Sequence, residues 1–321
     1  MNLLVTGASG FVGRGLLEWL SAHGHAGTAT GRTAPADVPA GWRAAARADV
    51  LAHGLAAAPE VIVHLEVKQH VARPTPADIR GFRRCNVGGT KEWLEWAARN
   101  RVERFVFVSS IKAAGRGGDG RSGRADTPYG RSKAKAEQVV RAWVADVRGR
   151  SAVILRPAPV YGPGNQANLA AFVRQILAGR PAVVGDGAAR KSIVSRTNLV
   201  ASIEFAARRL AAGASADACE LFDVSDPQTL PVGELAARIA ALAGAPPPRR
   251  IAEMAAACVA PVGDVVSLLT GRDFPLTTAR LRALREESDF PCTALLAAGF
   301  SPPQSTDAGL REMIDWFRSR R

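Results

Sequence analysis

The stretch LLVTGASGFVGRGLLEWL, residues Leu3–Leu20, decides the fold of this 321-residue chain. An apolar run of strand length leads into Gly7, Gly10 and Gly13 at intervals of three, and a segment with helical apolar spacing follows. Glycine is needed where the chain turns sharply out of a strand, where the backbone approaches a diphosphate, and where a helix packs closely on a sheet. Because the helix N-terminus also offers free N–H groups and a positive dipole, the pattern predicts a dinucleotide site.

The first half of the chain repeats this alternation of strands and helices. Strand-length runs such as VIVHL, RFVFVSS and SAVILRP alternate with helical segments such as GTKEWLEWAARN. The alternation predicts an α/β fold with a doubly wound parallel sheet. Beyond Pro157 the strands become sparse and Pro and Gly more frequent. We therefore predict a dinucleotide-binding domain at 1–157 and a smaller α/β substrate-binding domain at 158–321, with 190–225 as a candidate to return to the first domain.

Cysteine, histidine and hydropathy patterns exclude several functional classes. The four cysteines are scattered without CxxC spacing, which indicates buried thiols in a reducing cytoplasm rather than a disulfide framework. The five histidines all precede residue 71, and none has metal-ligand spacing, so we expect no metal site. No targeting signal and no uncharged apolar stretch of membrane length occurs, so the sequence predicts a cytoplasmic protein without a membrane span.

The charge of the chain is strongly positive, with a formal net value of +13. The 42 basic residues are six lysines and thirty-six arginines, spread along the chain without a basic run or interleaved aromatic residues. We therefore expect no nucleic-acid partner. A positive field of this kind favours an anionic ligand, such as a substrate that carries a diphosphate.

The end of the predicted second strand, AGTATGRT, bears on the choice of dinucleotide. An acidic residue there would accept hydrogen bonds from the adenosine ribose, whereas this sequence supplies Arg32, and arginine pairs with a 2′-phosphate. NADP(H) is therefore favoured as the cofactor, and NAD(H) remains the alternative. Asp49 is placed where a later strand end could reach the adenine amino group.

The stretch TPYGRSK, Thr127–Lys133, contains one of only two tyrosines in the chain. Tyr129 and Lys133 are four residues apart, so on a helix they share one face. An ammonium near a phenol favours the phenolate, so we expect a lowered Tyr129 pKa and a proton donor and acceptor usable near neutral pH. The strand RFVFVSS ends at Ser109 and Ser110, which places a hydroxyl at the carboxyl edge of the sheet, where α/β proteins bind ligands.

Together these segments resemble the extended short-chain dehydrogenase/reductases, the NAD(P)-dependent nucleotide-sugar epimerase/dehydratase family. The likeness spans nearly the whole chain and is strongest to 4-ketoreductases of the UDP-N-acetylquinovosamine type. It rests on TGASGFVG (Thr6–Gly13), VIVHLE (Val61–Glu66), NVGGT (Asn86–Thr90), VSS (Val108–Ser110), YGRSK (Tyr129–Lys133) and RPAPVYGPG (Arg156–Gly164).

The resemblance implies a Rossmann fold and a role for each matching position. Tyr129 is implied as general acid/base, Lys133 as its partner on the nicotinamide ribose, and Ser110, rather than Ser109, as the hydroxyl that holds the substrate carbonyl. The implied cofactor-binding residues are Gly7, Ser9, Gly10, Phe11, Val12, Gly13, Arg32, Asp49, Val50, Leu65, Glu66, Val108, Tyr129, Lys133, Pro157 and Val160. The implied substrate-binding residues are Lys68, Ser110, Ile111, Lys112, Tyr129, Asn168, Leu169, Arg190 and Lys191. Tyr161, the other tyrosine, is expected to shape the pocket.

Family members share hydride transfer at a sugar carbon and differ in the step that follows. Dehydratases of this type carry Asp-Glu after the catalytic hydroxyl, where this chain has Ile111 and Lys112, and epimerases usually carry a tyrosine where Ala114 stands. We therefore favour reduction of a 4-keto (6-deoxy) sugar nucleotide. A UDP-sugar 4-epimerase and a non-catalytic NAD(P)-binding sensor are the alternatives.

Three further expectations concern neighbouring segments. Glu66 replaces a small residue near the cofactor, so it must either find a partner such as Lys68 or alter the contacts to the cofactor. The glycine- and arginine-rich segment between Gly115 and Thr127 is expected to be a mobile flap. The segment GTKEWLEWAARN and the helix after Tyr129 form a dimer seam in many relatives, so the resemblance implies a homodimer.

Overall fold

The strands of the chain form one large sheet and three small ones. The computed structural model describes residues 1–71, 73–115, 125–165, 168–179, 182–215, 217–270 and 277–320. The strands in chain order are β1 (Asn2–Thr6), β2 (Ala26–Gly31), β3 (Trp42–Ala46), β4 (Val61–His64), β5 (Arg104–Val108), β6 (Ser151–Pro157), β7 (Val160–Tyr161), β8 (Ala182–Val184), β9 (Arg190–Lys191), β10 (Val194–Ser195), β11 (Cys219–Val224), β12 (Leu230–Pro231) and β13 (Arg249–Ile251).

The helices account for most of the remaining chain. They are α1 (Phe11–Ala22), α2 (Arg47–His53), α3 (Pro76–Phe82), α4 (Gly89–Arg99), α5 (Pro128–Asp146), α6 (Asn168–Leu177), α7 (Arg196–Ala211), α8 (Val232–Leu242), α9 (Glu253–Thr270), α10 (Thr278–Arg285), α11 (Thr293–Ala297) and α12 (Thr306–Arg318). A π-helical segment, Arg83–Gly88, joins α3 to α4, and a 3₁₀ turn, Ile111–Ala113, follows β5.

The large sheet has seven strands in the order β11-β6-β5-β4-β1-β2-β3, and every neighbouring pair is parallel. Successive side chains along each strand face opposite sides of the sheet. Leu3 and Val5 of β1 pack with α1 and α7 in one core cluster. Leu4 packs with α4 and α5 in another cluster on the opposite face. The predicted doubly wound parallel sheet with helices on both faces is confirmed.

The order of the strands places the site at the carboxyl edge of β1, β4 and β5. The strand order reverses between β1, which pairs with β2, and β4, which is the other neighbour of β1. In open parallel sheets a ligand crevice forms where the order reverses, outside the carboxyl ends of the strands. The glycine loop, the segment after β4 and the two serines after β5 all lie at that edge.

The segment between residues 190 and 225 contributes to the large sheet. Strand β11 pairs in register with β6, from Cys219 opposite Ala152 to Val224 opposite Pro157. Helix α7 packs in the same core cluster as α1. A separate cluster gathers α6, α8 and α12 around the fully buried Tyr161. The division into domains near residue 158 stays a prediction.

Two expectations about single residues are wrong. Tyr161 does not shape a pocket, because its side chain is fully buried and its hydroxyl donates to Asp226 Oδ2 at 2.6 Å. The cysteines are not uniformly buried: Cys292 is buried, while Cys258 on α9 is exposed. All four are free thiols.

Membrane spans and metal sites were both searched for over the described residues. None of the helices in that part of the chain combines the length and apolar character that crossing a bilayer requires. The same residues contain no group of three or more His, Cys, Asp or Glu side chains placed to hold a metal ion.

The glycine loop is fixed by close backbone approach. Gly7 has a positive φ of 70°, and a Cβ added to it would lie 2.8 Å from the Glu66 backbone nitrogen. A Cβ on Gly13 would lie 2.4 Å from the Gly7 carbonyl oxygen and 2.7 Å from Ala8 Cα. Because these neighbours are backbone atoms, they cannot rotate away. The first turn of α1 therefore sits against the loop only when residue 13 has no side chain.

We predict that Gly13→Ala destabilises the protein by about 1–3 kcal/mol, the usual range for overpacking a tight site. The control is Gly89→Ala, because Gly89 is also helical and its nearest neighbour beyond the helix lies 3.9 Å away. The control should keep or raise the stability, because alanine favours helices. Urea unfolding of both variants measures the difference. Equal midpoints would show that the loop tolerates a side chain.

Candidate functional site

The N-terminus of α1 lies directly after the glycine loop, at the carboxyl edge of the sheet. Gly10 is its N-cap in an extended conformation, and no side-chain cap bond is made there within the described structure. The Gly10 N–H donates to the Gly7 carbonyl at 3.1 Å, and the Ala8 N–H donates to the Thr30 carbonyl of β2 at 3.0 Å. The exposed Ser9 and Gly10 lead into a helix end whose N–H groups and dipole suit an anion such as a diphosphate.

The end of β2 lies directly beside this loop. A Cβ added to Gly31 would be 3.0 Å from Ser9 Oγ, and the exposed Arg32 follows Gly31. Asp49 is not at a strand end but in the first turn of α2, three residues after the end of β3. It is exposed, whereas Val50 is buried in the core between α4 and the sheet.

Glu66 has found partners other than the predicted Lys68. Its Oε2 accepts hydrogen bonds from Arg47 Nε at 3.1 Å and from Trp93 Nε1 at 2.9 Å. Arg47 opens α2 and Trp93 lies on α4, so the carboxylate ties two helices to the segment after β4. Glu66 thus has the partners that it was expected to need, but they are Arg47 and Trp93 instead of Lys68, because both come from elements remote in sequence.

Lys68 instead extends over α3. Its Nζ lies 3.0 Å from Asp78 Oδ1 and 5.9 Å from the centre of the Phe82 ring. Hydrogen bonds from Thr75, together with Lys68, lower the Asp78 pKa to about 2. The ammonium predicted to contact substrate is therefore paired with a carboxylate that is ionised at neutral pH.

Tyr129 stands in the first turn of α5, where close packing holds it against the end of β5. Thr127 caps the helix by accepting the Gly130 N–H at 3.0 Å, and Pro128 opens it. A Cβ on Gly130 would lie 2.3 Å from the Lys112 carbonyl oxygen, so only glycine allows this approach. The approach brings the Ser110 hydroxyl into a side-chain hydrogen bond with Tyr129.

The two adjacent serines have different surroundings. Ser109 is buried, and its hydroxyl donates to Glu137 Oε1 on α5. Ser110 is half-buried and faces Tyr129, and its Oγ also accepts the Lys112 N–H at 3.3 Å. The geometry therefore leaves Ser110 in position to contact a carbonyl that approaches Tyr129. Ser109 instead forms part of the buried contact between β5 and α5.

Lys133, one helical turn after Tyr129 on α5, is almost completely buried. Its Nζ donates to the Val108 carbonyl at 2.8 Å and lies 4.2 Å from the centre of the Phe107 ring. Burial lowers the Lys133 pKa to about 7, against the opposing effect of Glu137 one turn along α5. Glu137 in turn holds Arg156 through two hydrogen bonds, at 2.9 and 2.6 Å.

The pKa expected for Tyr129 is in the wrong direction. Burial raises the Tyr129 pKa to about 12, and the hydrogen bond from Ser110 only partly opposes this rise. The rings of His70 and Phe82 meet the phenol edge-on, with centroids 5.9 and 5.8 Å away. The phenol is therefore protonated at neutral pH in the structure described here.

Asn86 is the residue that sequence reasoning left without a role. It is buried inside the π-helical segment, where its Oδ1 accepts the Lys68 N–H at 2.8 Å. Its Nδ2 donates to Ser132 Oγ at 2.9 Å, and Ser132 Oγ donates to the Tyr129 carbonyl at 2.7 Å. A π-helical turn inside a helical run frequently marks a functional site. Asn86 thus joins the segment after β4 to the first turn of α5.

A second chain of hydrogen bonds runs from β1, the strand before the glycine loop, to the π-helical segment that contains Asn86. Thr90 Oγ1 donates to the Asn86 carbonyl at 2.8 Å, so it must accept from His64 Nε2 at 3.1 Å. His64 Nδ1 is then the acceptor for Thr6 Oγ1 at 2.7 Å. Burial, with the charges of Lys133 and Arg47, holds the His64 pKa well below its usual range. The neutral imidazole is therefore a structural link.

For several predicted site residues the structure gives a position at or near the carboxyl edge of the sheet and nothing about ligand contacts. Leu65, Val108, Pro157 and Val160 border the carboxyl ends of β4, β5 and β6, and Phe11 and Val12 open α1. Ile111 is buried in the 3₁₀ turn and Lys112 is exposed beside it.

The residues predicted for the substrate diphosphate are engaged by the C-terminal part of the chain. Arg190 donates to the Thr229 carbonyl at 2.7 Å and lies 3.3 Å from Asp289, and Lys191 Nζ donates to the Glu286 carbonyl. Leu169 packs in the cluster around Tyr161. The side chain of Asn168 and most of the predicted flap, 116–124, lie outside the described residues.

Comparison with known proteins identifies the class to which this site belongs. Residues 3–221 match the NAD dependent epimerase/dehydratase family, which is more than half of the chain. The chain belongs to this family of enzymes, and the resemblance seen in its sequence is confirmed.

Individual relatives differ in the reactions that their names describe. An Escherichia coli O157:H7 N-acetyl-α-D-glucosaminyl-diphospho-ditrans,octacis-undecaprenol 4-epimerase is 26% identical, with 72% of this chain and 70% of the relative covered. The ceramide reductase of Caulobacter vibrioides is 30% identical, with 98% and 94% covered. The fold matches the Streptomyces venezuelae dTDP-glucose 4,6-dehydratase DesIV with NAD and TYD bound, at a TM-score of 0.73 and 24% identity over 100% and 98% of the two chains.

The depressed pKa of Lys133 yields a prediction about stability. Between about pH 7 and pH 10.5 the unfolded chain binds a proton at this lysine that the folded chain does not. The free energy of unfolding should therefore rise with pH through this window, by up to about 1.4 kcal/mol per pH unit. We expect Lys133→Met to remove this contribution, so that its stability rises less steeply than that of the wild type.

Urea unfolding at several pH values measures the slopes. Lys135→Met is the matched control, because Lys135 is an exposed lysine on the same helix. Its curve should run parallel to that of the wild type. Parallel curves for Lys133→Met as well would show that Lys133 titrates normally.

Proposed function

We propose that this enzyme uses NAD(P)H to reduce the ketone of a 4-keto (6-deoxy) sugar nucleotide. The observation that carries the proposal is the hydrogen-bonded Ser110–Tyr129 pair above the buried Lys133, at the sheet edge beside the glycine loop. A hydroxyl and a phenol that already contact each other offer two donors to one carbonyl oxygen. The neighbouring α1 N-terminus suits the diphosphate of a dinucleotide.

The protonation state of Tyr129 supports reduction. A raised pKa keeps the phenol protonated at neutral pH, so it can donate directly to an oxygen that gains negative charge. When bound, the reduced nicotinamide supplies the hydride that goes to the carbonyl carbon. Tyr129 gives its proton to the carbonyl oxygen, Ser110 orients that oxygen, and solvent returns a proton to the phenolate. Lys133, one helical turn after Tyr129, is the residue that we propose binds the nicotinamide ribose.

The residues around the pair argue against the other reactions of the family. Eliminating water from a sugar needs an additional acid and base, but Ser110 is followed by the buried Ile111 and by Lys112. An epimerase must first oxidise its substrate, so its tyrosine must first accept a proton, whereas burial keeps the Tyr129 phenol protonated at neutral pH. Ala114 stands where epimerases usually carry a tyrosine.

For the cofactor we propose NADP(H) in preference to NAD(H). Arg32 is exposed directly after β2, beside Ser9 of the glycine loop, and no acidic residue ends that strand. A guanidinium there suits a 2′-phosphate through charge-assisted hydrogen bonds. We further propose Arg190, Lys191 and the start of α6 as the side of the site that receives the substrate diphosphate, and a homodimer formed through α4 and α5.

A lipid-borne ketone is the second candidate substrate. It is favoured by the Caulobacter vibrioides relative, named as a ceramide reductase, whose likeness extends over 98% of this chain. The two candidates share the hydride and proton transfers and differ only in what carries the ketone. A substrate panel therefore separates them, while net oxidation of the cofactor separates both from epimerisation.

We predict that the purified chain oxidises NADPH with a 4-keto-6-deoxy sugar nucleotide and that Tyr129→Phe lowers kcat by about a hundredfold or more. The phenylalanine keeps the ring that meets His70 and Phe82 but removes the proton donor. Absorbance of the reduced nicotinamide reports turnover on UDP- and dTDP-linked ketosugars and on a lipid-borne ketone. Ser301→Ala, at an exposed serine after α11, is the comparison for Ser110→Ala, and only the latter should lower kcat while the fold is retained.

Two results would overturn the assignment. If no ketone consumes NADPH while a UDP-sugar is epimerised without net oxidation of cofactor, the protein is an epimerase. If Tyr129→Phe turns over as fast as the wild type while binding cofactor equally, the phenol is not the proton donor.

We predict that Arg32→Ser raises the KM for NADPH by about tenfold or more, because a charge-assisted hydrogen bond is worth about 1.5–3 kcal/mol. The KM for NADH should change little. Arg43→Ser on β3 removes an exposed arginine of equal charge from the neighbouring strand and is the control for the overall field. A similar loss with both cofactors, or with both variants, would argue against a 2′-phosphate contact.

A further inference from the structure

Helix α9 turns an apolar stripe outward. Met254, Cys258, Pro261, Val262 and Val265 recur at positions i, i+4, i+7, i+8 and i+11, which places them on one helix face. Met254, Val262 and Val265 are 81%, 58% and 54% exposed. The opposite face consists of small residues, Ala256, Ala260 and Gly263, and it is buried, with the two alanines against Leu281 of α10. Among its described side chains, α9 therefore exposes several of its larger apolar residues to solvent.

The exposed apolar residues of the protein are concentrated here. Of the nine large hydrophobic side chains that are exposed in the described part of the chain, six fall between residues 251 and 284. They are Ile251, Met254, Val259, Val262, Val265 and Leu284. Isolated exposed hydrophobics are normal on any protein, but a contiguous group marks an interaction surface. We call the outward stripe of Met254, Cys258, Pro261, Val262 and Val265 the α9 face.

The charged residues on α9 and on the strand before it differ in their partners. The acidic residues of α9 are neutralised by arginines from other elements: Glu253 by Arg285 at 3.1 Å and Asp264 by Arg73 at 2.8 Å. Arg249 and Arg250, on the strand that leads into α9, are exposed and form no ion pair within the described residues. Two exposed arginines without a described ion-pair partner thus precede α9, on a chain of net charge +13.

The α9 face adjoins the site. Arg73, which pairs with Asp264 near the middle of α9, belongs to the segment between β4 and α3. The same segment carries His70, whose ring meets that of Tyr129, and the exposed Val71. A surface that covered α9 would therefore lie next to a segment that contacts the phenol.

We propose that the α9 face docks on the surface of an anionic phospholipid bilayer. The apolar stripe would enter the boundary between headgroups and acyl chains, while Arg249 and Arg250 contact the headgroup phosphates. A second copy of the chain is less suited, because it brings another +13 of like charge to the face, whereas anionic lipids complement it. This inference does not depend on the reaction proposed above.

Sedimentation of the full chain with phospholipid vesicles tests the proposal. We expect binding to vesicles of phosphatidylcholine with phosphatidylglycerol and much weaker binding to phosphatidylcholine alone. The triple variant Met254→Ser, Val262→Ser and Val265→Ser should bind at least about tenfold more weakly, because its apolar stripe is lost. The double variant Val147→Ser and Leu296→Ser is the control, since those side chains are 42% and 37% exposed outside the α9 face. It should bind like the wild type.

The charged border is tested separately. Arg249→Ser with Arg250→Ser should weaken binding to anionic vesicles by about fivefold per arginine and leave binding to neutral vesicles unchanged. Unfolding midpoints verify that the variants fold, as expected for exposed positions. The proposal is overturned if the wild type sediments with neither vesicle, or if the triple variant binds as well as the wild type. It is also overturned if the triple variant loses only self-association in size-exclusion chromatography, which would identify a second copy as the occupant.

Discussion

The contact between the first turn of α5 and the turn after β5 determines whether this protein has a site. Gly130 lies so close to the Lys112 carbonyl that a Cβ would come within 2.3 Å of its oxygen. This approach is what brings the Ser110 hydroxyl onto the Tyr129 phenol. Asn86 also holds the first turn of α5, because its Nδ2 donates to Ser132 Oγ. Its Oδ1 accepts the Lys68 N–H and so fixes the segment after β4. Three chain segments remote in sequence thus meet at one phenol.

Below this contact lies a buried ionic network. Ser109, Glu137 and Arg156 are joined by hydrogen bonds, and Lys133 stands one helical turn from Glu137. Removing one partner from a buried pair leaves an uncompensated charge, which costs several kcal/mol. The network therefore fixes the position of α5 relative to β5 and β6. Lys133 contributes an ammonium directed at the Val108 carbonyl, so its orientation is fixed before any ligand binds.

The sequence predicted the local features of the fold and site and missed the long-range ones. The glycine loop, the strands and the Tyr129–Lys133 spacing are short-range patterns, because glycine geometry and helical periodicity act over a few residues. Ser110 was assigned through the family resemblance. The partners of Glu66 come from residues 19 and 27 positions away, so nothing in its neighbourhood indicated Arg47 and Trp93. Tyr161 and Asp226 are 65 positions apart. From the sequence, Asn86 was only a polar residue inside a helical run, and its contacts with Lys68 and Ser132 were not indicated.

The Tyr129 pKa shows how burial can reverse an inference drawn from spacing. The i, i+4 relation places Lys133 on the same helix face as the phenol, but the ammonium points to Val108 and the aromatic ring of Phe107 instead. Desolvation then favours the neutral form of each group, which raises the Tyr129 pKa and lowers the Lys133 pKa. The Tyr129 phenol is therefore protonated at neutral pH, although its raised pKa also makes it a weaker acid. The protonation state of the two groups before any ligand binds thus follows from how deeply they are buried, which a four-residue spacing does not encode.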